Sequence, residues 1–489
     1  MSNNKMLIDG KWVGSGNGAT IEIEDPATSE IFDTVPAASD ADIDAAVAAA
    51  DAAFPAWSRM TPEARGEYLH KGAALAVERA DEIGRLMTRE QGKPFNEARG
   101  EVLKGAEILR YYAEEGKRTY GRIVPCSGAD ATTTSFVTYE PVGVSAGISP
   151  WNYPIELVAW KVGGALAAGC TFVAKPPSLT PLSPLRFLAC LVDAGIPRGV
   201  VNVLFGAGSH AGTRLIRHPL VKKVAFTGST EVGRQVMRQC AESMTKVSLE
   251  LGGQCALIVS DKCRVADAVS GAVRRSFRNM GQICIAINRI YVQEKIYREF
   301  LDGVVAKTRA LVIANGLEKP DADIGPMANR EGREKTMRHI ADAVGKGAHV
   351  ACGGKVPDGP AFMKGYFFQP TVLTDVTHEM LVMHEETFGP VVGIMPYRTL
   401  DEAIGFANST AYGLATYAYT EDLGEADELS ARLQSGNVAI NNPDAGVINA
   451  PYGGFKESGM GYEHGPEGLE QYLRAKHVRI RFSNRTRSR

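Results

Sequence analysis

Strand-like and helix-like segments alternate from about residue 140 to residue 241, and this alternation restricts the possible folds more than any other feature of the chain. In chain order the segments are VGVSAGIS, WKVGGALAAG, TFVAKP, LRFLACLVDAG, VVNVLFG, VKKVAFTG and a helix from Ser229. Strands that alternate with helices of about ten to fifteen residues form right-handed crossovers and a parallel sheet. The pattern therefore predicts an α/β fold of the type that commonly binds dinucleotides.

A second strand–helix series begins at ALIVSD, and it ends in a cysteine-containing connection. Apolar residues at every fourth position of 265–277 predict a helix that stops near Gly281. Cys284 follows in FRNMGQIC, just beyond this helix. Most free cysteines are small core residues, but connections held by rigid elements commonly carry chemistry. Both interpretations of Cys284 stay open on this evidence alone.

Residues 39–57 predict a helix whose start is determined locally. Ser39 is a good N-cap, and Asp42 stands three residues later, as a capping box requires.

Length and composition limit the class of protein. A chain of 489 residues predicts two or three domains, and 44% apolar with 22% charged residues is typical of soluble globular proteins. A net charge of −2 argues against nucleic-acid binding. The N-terminal region has no signal-peptide core, and no stretch reads as a membrane span. Eight cysteines without a CxxC pair argue against a metal site or a disulfide scaffold and predict a cytoplasmic protein.

Two glycine-containing segments compete as phosphate sites. FGAGSHAG, residues 205–212, is one residue too long for the dinucleotide fingerprint and is interpreted as a turn with helix capping. FTGSTEVGR is the better candidate, because a strand ends there and a helix begins near Ser229. Gly228 would let a phosphate approach the backbone, and the helix N-terminus would favour its negative charge.

Six sequence blocks, taken together, are more specific than any one motif. In order they are SPWNYP, FTGSTEVG, LELGGQ, FRNMGQIC, EETFGP and PYGGFKESGMG. In order and spacing they resemble the signature blocks of the NAD(P)-dependent aldehyde dehydrogenase superfamily, and the resemblance covers essentially the whole chain. The pattern is most similar to that of succinate-semialdehyde dehydrogenase-like members.

The resemblance implies a role for each matching residue. Cys284 matches the nucleophile, Glu250 the general base, Asn152 the oxyanion-hole amide, and Lys161 a lysine near the reacting centre. The residues that match cofactor contacts are Trp151, Lys175, Ser178, Gly228, Ser229, Glu386 and Phe388. No metal is expected. NADP is slightly favoured over NAD, because Ser178 stands where NAD-preferring relatives usually carry a glutamate that repels the 2′-phosphate.

The resemblance also implies an aldehyde dehydrogenase-like architecture of two parallel-sheet domains and a small β arm. The expected division is a cofactor-binding domain at 1–121 and 142–252, a catalytic domain at 253–451, and an oligomerisation arm with the C-terminal segment at 122–141 and 452–489. A homo-oligomer, either a dimer or a dimer of dimers such as a homotetramer, is expected.

The implied chemistry needs an activated thiol. A thiolate adds to an aldehyde and leaves a thioester after hydride release, but a free cysteine is only a few per cent thiolate at neutral pH. We hypothesise that backbone amides around Gly281 and Gln282, and a bound nicotinamide cation, lower the pKa of Cys284. Asn152 and the backbone N–H of Cys284 would hold the alkoxide, and Glu250 would activate the hydrolytic water.

The predicted substrate is a short aldehyde with an anionic group, a semialdehyde acid first and a hydroxylated or sulfonated analogue second. Arg278 matches an arginine that binds the far carboxylate, although an arginine at a helix C-terminus is also stabilised by the helix dipole alone. Trp160 replaces a usual second arginine, and Asn449 is the only polar side chain of the GVINA loop. A neutral medium-chain or aromatic aldehyde stacked on Trp160 and Tyr153 is the alternative substrate.

Two other functions are alternatives to aldehyde oxidation with release of a free acid. A coenzyme-A-acylating enzyme would dispense with the base, so Glu250 argues against it. A catalytically silent structural or binding protein would not need Cys284, Glu250 and Asn152 together.

Overall fold

The structure is a computed structural model, and it describes residues 4–125 and 132–482. The strands in this part of the chain are β1 (Met6–Ile8), β2 (Lys11–Val13), β3 (Thr20–Asp25), β4 (Glu30–Pro36), β5 (Arg122–Val124), β6 (Thr133–Pro141), β7 (Val144–Ile148), β8 (Thr171–Lys175), β9 (Val201–Val203), β10 (Val221–Thr227), β11 (Lys246–Glu250), β12 (Cys255–Val259), β13 (Ile287–Gln293), β14 (His349–Cys352), β15 (Thr371–Thr374), β16 (Val391–Tyr397), β17 (Tyr412–Gly413), β18 (Ala415–Tyr419), β19 (Asn437–Ile440), β20 (Phe455–Lys456), β21 (Gly459–Met460) and β22 (Leu473–Arg481).

The α-helices of the described residues cover both main sheets. They are α1 (Asp40–Ser58), α2 (Pro62–Glu78), α3 (Ala80–Gln91), α4 (Phe95–Glu115), α5 (Pro154–Ala168), α6 (Leu182–Asp193), α7 (Thr213–Arg217), α8 (Thr230–Ala241), α9 (Val265–Phe277), α10 (Tyr297–Arg309), α11 (Arg330–Gly345), α12 (Leu381–His384), α13 (Leu400–Asn408), α14 (Leu423–Arg432) and α15 (Gly465–Glu470). None of these helices is long and apolar enough to cross a membrane.

The first sheet confirms the predicted strand–helix alternation. Its order is β2-β1-β9-β8-β7-β10-β11-β21, and the five strands from β9 to β11 are parallel. The chain runs outward from β7 through β8 to β9, then returns to place β10 and β11 on the other side of β7. The strand order thus reverses between β7 and β10. In open α/β sheets a ligand crevice forms beyond the carboxyl ends of the strands at such a point.

The second sheet meets the first across this crevice. Its order is β14-β15-β16-β13-β12-β18-β19, and all of its pairs are parallel except the edge pair β14–β15. Only four residues separate the end of β11 at Glu250 from the start of β12 at Cys255. The carboxyl edge of the first sheet therefore lies next to the amino edge of the second, where the connection into β13 also arrives.

A third, antiparallel sheet has the order β22-β6-β5 and combines residues near 122–141 with the C-terminal strand. This pairing agrees with the arm that the resemblance implied, while the domain boundaries themselves stay a prediction. One detail differs from the expected division. The short strand β21 follows residue 452 but pairs with β11, because Leu249 and Glu250 at the edge of the first sheet have free backbone groups for it.

The structure contains the local capping signal that was predicted at the start of α1. Ser39 caps α1 by accepting from the N–H of Asp42, whose carboxylate accepts from the N–H of Ser39, so the predicted capping box is confirmed. The seven cysteines among the described residues are unpaired, and Cys126 lies outside the described residues.

Candidate active site

The connection that carries Cys284 is a strained turn at the end of α9. The helix ends at Phe277, and Asn279 and Met280 take left-handed φ values of 48° and 59°. Gly281 follows with φ 67°, and a Cβ there would collide with the carbonyl oxygen of Gly389. The backbone thus reverses sharply and delivers Cys284 into the crevice. The prediction that Cys284 lies just beyond a helix end is confirmed.

Cys284 borders two cavities. One, of about 310 Å³, is lined by Trp151, Gly228, Ser229 and Phe388 among others, and we call it the Phe388 cavity. The other, of about 450 Å³, is lined by Tyr153, Trp160, Arg278 and His464 among others, and we call it the Arg278 cavity. Asn152 and Cys284 belong to both linings. A reacting atom at the sulfur is therefore accessible from two sides.

The thiol of Cys284 is not activated by its polypeptide surroundings alone. Burial raises its pKa to about 12, and the hydrogen bond with Tyr452 opposes this most strongly. The Sγ atom lies 3.4 Å from Oη of Tyr452. The hypothesis that amides near Gly281 and Gln282 lower this pKa is wrong for the protein groups. The N–H of Gln282 donates to the carbonyl of Asn279 at 3.1 Å, and burial outweighs the backbone hydrogen bond of Cys284 itself.

Asn152 is tied directly to the Cys284 connection. Its side-chain Nδ2 donates to the carbonyl oxygen of Gln282 at 2.9 Å. Its own carbonyl accepts from Lys93 Nζ at 2.8 Å and from Asn279 Nδ2 at 3.0 Å. The amide that was predicted to face an oxyanion therefore stands beside the nucleophile candidate, with one Nδ2 hydrogen left over.

The residues that hold the backbone of Asn152 were not predicted from the sequence. Lys93 and Glu101 form an ion pair of 2.6 Å that is almost completely buried. Glu101 also accepts from the N–H groups of Ile155 and Glu156 at the start of α5. Lys93 and Glu101 lie on either side of the start of α4 and follow no motif, so only the tertiary structure reveals them.

Glu250 ends β11 and is paired with Thr227 of β10 in the sheet register. Its side chain is buried, and neither carboxylate oxygen has a hydrogen-bond partner among the described residues. Burial, with the nearby charge of Glu463, raises its pKa well above the ordinary value. A carboxylate so poorly solvated is a stronger base than a surface glutamate, which is what activation of water requires.

Lys161 pairs with a glutamate other than Glu250. Its Nζ donates to Glu463 at 2.5 Å, to Thr227 Oγ1 at 2.7 Å and to the carbonyl of Leu157 at 3.3 Å. The three donors of the ammonium are thereby used. Glu463 was not singled out from the sequence, and nothing in its local pattern marks it.

The Phe388 cavity gathers most of the residues that were predicted to contact a cofactor. Trp151 and Phe388 meet edge to face at 5.4 Å, and Gly228 and Ser229 supply the N-terminus of α8. Glu386 accepts from the N–H of Gly253 at 2.9 Å, and burial raises its pKa to about 7. This face is made of the loops that follow β7 and β10, together with the segment between α12 and β16.

Lys175 and Ser178 lie at the carboxyl end of β8 and do not line the Phe388 cavity. Lys175 Nζ donates to the carbonyls of Pro176 and Gly206, each at 3.2 Å, and Ser178 Oγ donates to Gly206 at 3.3 Å. Gly206 belongs to the segment that was interpreted only as a turn. Residues 208–212 do form a π-helical turn, but the segment also lies against both predicted contacts.

Lys175 is a buried cation without a carboxylate partner among the described residues. Burial lowers its pKa to about 8. A buried ammonium that is bonded only to carbonyls leaves its charge free for an anionic or polyhydroxyl ligand. The residues in this region therefore fit a nucleotide.

The arginines that line the Arg278 cavity already have carboxylate partners. Arg278 Nε donates to Glu97 at 3.0 Å, and no other nitrogen of Arg278 has a hydrogen bond within residues 4–125 and 132–482. Glu97 also accepts from the hydroxyl of Tyr153 at 2.9 Å. Buried Arg275 donates to the carbonyl of Pro443 at 2.6 Å and pairs with Asp444. Arg278 keeps two Nη groups for a ligand.

Two predicted substrate contacts differ from expectation. Asn449 is exposed and does not line the Arg278 cavity, because its loop turns the preceding Val447 and Ile448 towards the cavity instead. Trp160 does line the cavity, but its ring stacks on His464 at 3.4 Å, so this face of the ring is covered.

The chain is similar to known proteins in both sequence and structure. The profile of the aldehyde dehydrogenase family matches residues 12–478. A glutarate-semialdehyde dehydrogenase of Pseudomonas aeruginosa is 43% identical over 474 residues, covering 96% of each chain. A succinate-semialdehyde dehydrogenase [NADP(+)] of Escherichia coli is 42% identical over 477 residues, covering 97% of each chain. The crystal structure of an E. coli NADP dependent enzyme aligns with a TM-score of 0.95 at 42% identity, covering 98% of each chain.

The family profile spans nearly the whole chain, and the solved structure shares its fold from end to end. The chain belongs to the aldehyde dehydrogenase family.

Proposed function

We propose that the protein oxidises a short aldehyde that carries an anionic group to the free carboxylic acid, with Cys284 as nucleophile. The observation that carries this proposal is the position of Cys284 at the junction of two cavities. An aldehyde dehydrogenase must bring a nicotinamide and an aldehyde to one atom from opposite sides. Semialdehyde acids such as succinate semialdehyde come first, and hydroxylated or sulfonated analogues second.

The Phe388 cavity and the adjoining groove would hold the cofactor. Gly228 and Ser229 would receive a phosphate at the N-terminus of α8, and Lys175 with Ser178 would contact the adenosine ribose. Glu386 would accept from the other ribose, and Phe388 would face the ring. When bound there, the nicotinamide accepts the hydride that the aldehyde carbon releases. Ser178 and the charge of Lys175 support NADP use at least equal to NAD use.

The first task of the chain is to hold the aldehyde at Cys284. The sulfur would add to the carbonyl carbon and form a thiohemiacetal whose oxygen is negatively charged. The remaining Nδ2 hydrogen of Asn152 and the N–H of Cys284 would donate to this oxygen. Asn152 is well fixed for the task, because three hydrogen bonds hold it. Loss of one such donor typically lowers kcat by about 10²–10³-fold.

The second task is to release the acid. Glu250 would take a proton from the water that attacks the thioester, and the sulfur would leave as thiolate. Its lack of partners supports this role, because no hydrogen bond competes for the basic oxygens. Lys161 would act from a distance, holding Glu463 and Thr227 beside the carboxylate. A silent binding protein or a coenzyme-A-acylating enzyme would not need this strongly desolvated carboxylate.

Arg278 would recognise the far anion of the substrate. Its two free Nη groups can bind a carboxylate or sulfonate side by side. Two relatives with names that specify semialdehydes support an anionic substrate. Tyr153 would line the path between the anion and the sulfur. The rival, a neutral aldehyde on Trp160, has less support because His464 covers one face of that ring.

We also propose a cytoplasmic homo-oligomer, a dimer or a dimer of dimers. The sheet β22-β6-β5 exposes Ile123, Tyr139 and Ile480, which a second copy would cover. Unpaired cysteines among the described residues fit a reducing compartment.

The test is one assay of cofactor reduction with a panel of aldehydes. Succinate semialdehyde and glutarate semialdehyde are expected to exceed butanal and benzaldehyde by about tenfold or more in kcat/KM. NADP and NAD are compared in the same assay. A preference for butanal would disprove the anionic substrate class, and no reduction with any aldehyde would disprove the enzyme itself. Dependence on coenzyme A would indicate the acylating reaction.

A further inference from the structure

Tyr452 presents its phenol to the sulfur of Cys284. The Oη and Sγ atoms are 3.4 Å apart, and within the described part of the chain this is the only hydrogen bond of the phenol. Tyr452 is buried, and it lines the Arg278 cavity. Its hydroxyl therefore has no structural partner except the candidate nucleophile.

The position of the Tyr452 ring is fixed by backbone hydrogen bonds and by ring stacking. The backbone of Tyr452 exchanges two hydrogen bonds of 2.8 Å with Glu463. Its ring stacks on His464 at 4.8 Å and 22°, and His464 stacks in turn on Trp160 at 3.4 Å and 20°. Such a stack of three rings leaves the phenol little freedom to leave the sulfur.

His464, which supports the Tyr452 ring, has an uncommon backbone conformation. Its φ is 58°, a left-handed value that a non-glycine residue adopts only when its surroundings enforce it. Its Nδ1 lies 3.2 Å from the carbonyl oxygen of Val447. Burial lowers the pKa of His464 to about 3, so the imidazole is neutral and Nδ1–H donates to that carbonyl. The uncharged imidazole therefore stacks on the ring of Tyr452.

The bond between Tyr452 and Cys284 differs between the two protonation states of the sulfur. A thiol is a weak donor and a weak acceptor, whereas a thiolate is a charged acceptor. A phenol O–H donates much more strongly to a charged acceptor. Burial also raises the pKa of Tyr452 well above its ordinary value, so the phenol carries its proton at neutral pH and can donate a hydrogen bond to the sulfur.

We propose that Tyr452 is a further catalytic residue, whose O–H donates to the sulfur of Cys284 and stabilises it as thiolate in the poorly solvated crevice. The thiol proton leaves to a base from solution, and the phenol proton stays on its oxygen throughout. The same bond holds Sγ facing the junction of the two cavities. This inference rests on the proposed role of Cys284 as nucleophile.

The experiment measures alkylation of Cys284 by iodoacetamide in the full chain, without cofactor or aldehyde. The label is quantified on the tryptic peptide of residues 279–289, which contains no other cysteine. Rates are followed between about pH 7 and pH 10 for the wild type and for Tyr452→Phe, which keeps the ring. We expect Tyr452→Phe to react about tenfold more slowly at each pH, equal to about one unit of thiol pKa.

Tyr417→Phe is the matched control. Tyr417 is also a buried tyrosine near this connection, but its hydroxyl donates to the carbonyl of Ile285 at 2.9 Å. Its alkylation profile is expected to match that of the wild type. If Tyr452→Phe does not fold, His464→Asn removes the supporting ring while tolerating the left-handed backbone, and a smaller slowing is expected.

An unchanged or faster alkylation of Tyr452→Phe would overturn the proposal, because the phenol would then be neutral to the thiolate or would favour the thiol. The aldehyde assay adds a second readout. The proposed role predicts that kcat falls by about tenfold across the same pH range with little change in KM, whereas a packing role would raise the KM for the aldehyde, because Tyr452 lines the Arg278 cavity. Full activity of Cys284→Ala would instead disprove the proposed function, without altering what the alkylation shows of Tyr452.

Discussion

The two cavities that meet at Cys284 are built in different ways. The Phe388 cavity is formed by loops that directly follow strands β7 and β10, by the N-termini of α8 and α11, and by the segment between α12 and β16. The Arg278 cavity is formed by side chains of distant segments, and its arginines are already paired, as in Arg278–Glu97 and Arg275–Asp444. Backbone geometry thus shapes one side, and long-range ion pairs shape the other. A cofactor common to a family suits the first, and a variable substrate suits the second.

The largest effect is expected at the atom that both cavities share. Cys284→Ala should lower kcat for aldehyde oxidation by about 10⁴-fold or more, because no thioester can form. Cofactor binding should persist, since the Phe388 cavity loses only one small side chain. The measurement is cofactor reduction, with cofactor affinity by fluorescence titration. If the variant keeps more than a small fraction of turnover, the nucleophile is another group.

The next effect separates the two steps of the reaction. Glu250→Gln should lower steady-state turnover by about 10²–10⁴-fold while leaving a burst of reduced cofactor, because hydride release precedes hydrolysis. In the wild type the raised pKa of Glu250 predicts a hydrolytic rate that rises with pH as the carboxyl loses its proton. Stopped-flow absorbance at several pH values measures both phases. Equal loss of burst and steady state would assign Glu250 to thiol activation or to structure.

The Arg278 cavity can be tested by removing the guanidinium of Arg278, whose Nη groups have no hydrogen bond among the described residues. Arg278→Ala should lower the preference for succinate semialdehyde over butanal by about 10–100-fold, the worth of a charge-assisted hydrogen-bond pair. Glu97→Gln is the matched control, because it keeps the guanidinium and removes its carboxylate partner. That variant should retain or increase the preference. An Arg278→Ala variant with an unaltered kcat/KM ratio would exclude the anion-binding role.

The smallest effect is expected in the cofactor groove. Ser178→Glu should shift the ratio of kcat/KM values for NADP and NAD by about tenfold towards NAD, because a carboxylate repels the 2′-phosphate and accepts from the ribose diol. Ser178→Ala is the control and should shift the ratio less. A wild-type preference of tenfold for NAD would contradict the proposed use of NADP at least as well as NAD.

The difference between the cavities also explains which parts were predictable from sequence. The capping box at Ser39, the helix that ends before Cys284, and the strand and helix on either side of Gly228 depend on neighbours within a few residues. Such local patterns carry their own physical cause, so the parallel sheet and the part of the Phe388 cavity at Gly228 and Ser229 follow from them. The aldehyde dehydrogenase resemblance rests on these same short blocks.

Other features depend on residues that meet only in the folded chain. Lys93 is 59 residues from Asn152, and Glu463 is 302 residues from Lys161, so no local pattern marks either partner. The thiol pKa of Cys284 was also mispredicted, because burial by distant segments outweighs nearby amides.

By itself, the sequence determined the alternation of strands and helices from residue 140 to residue 241 and the helix end before Gly281, because local backbone chemistry sets both. The family resemblance added the predicted reacting groups. Only the tertiary structure decided how those groups are solvated and paired. It left Glu250 without partners, tied Arg278 to Glu97, kept Asn449 out of the cavity and brought the phenol of Tyr452 to the sulfur. Desolvation and ion pairing act through space, so they depend on which segments the fold brings together.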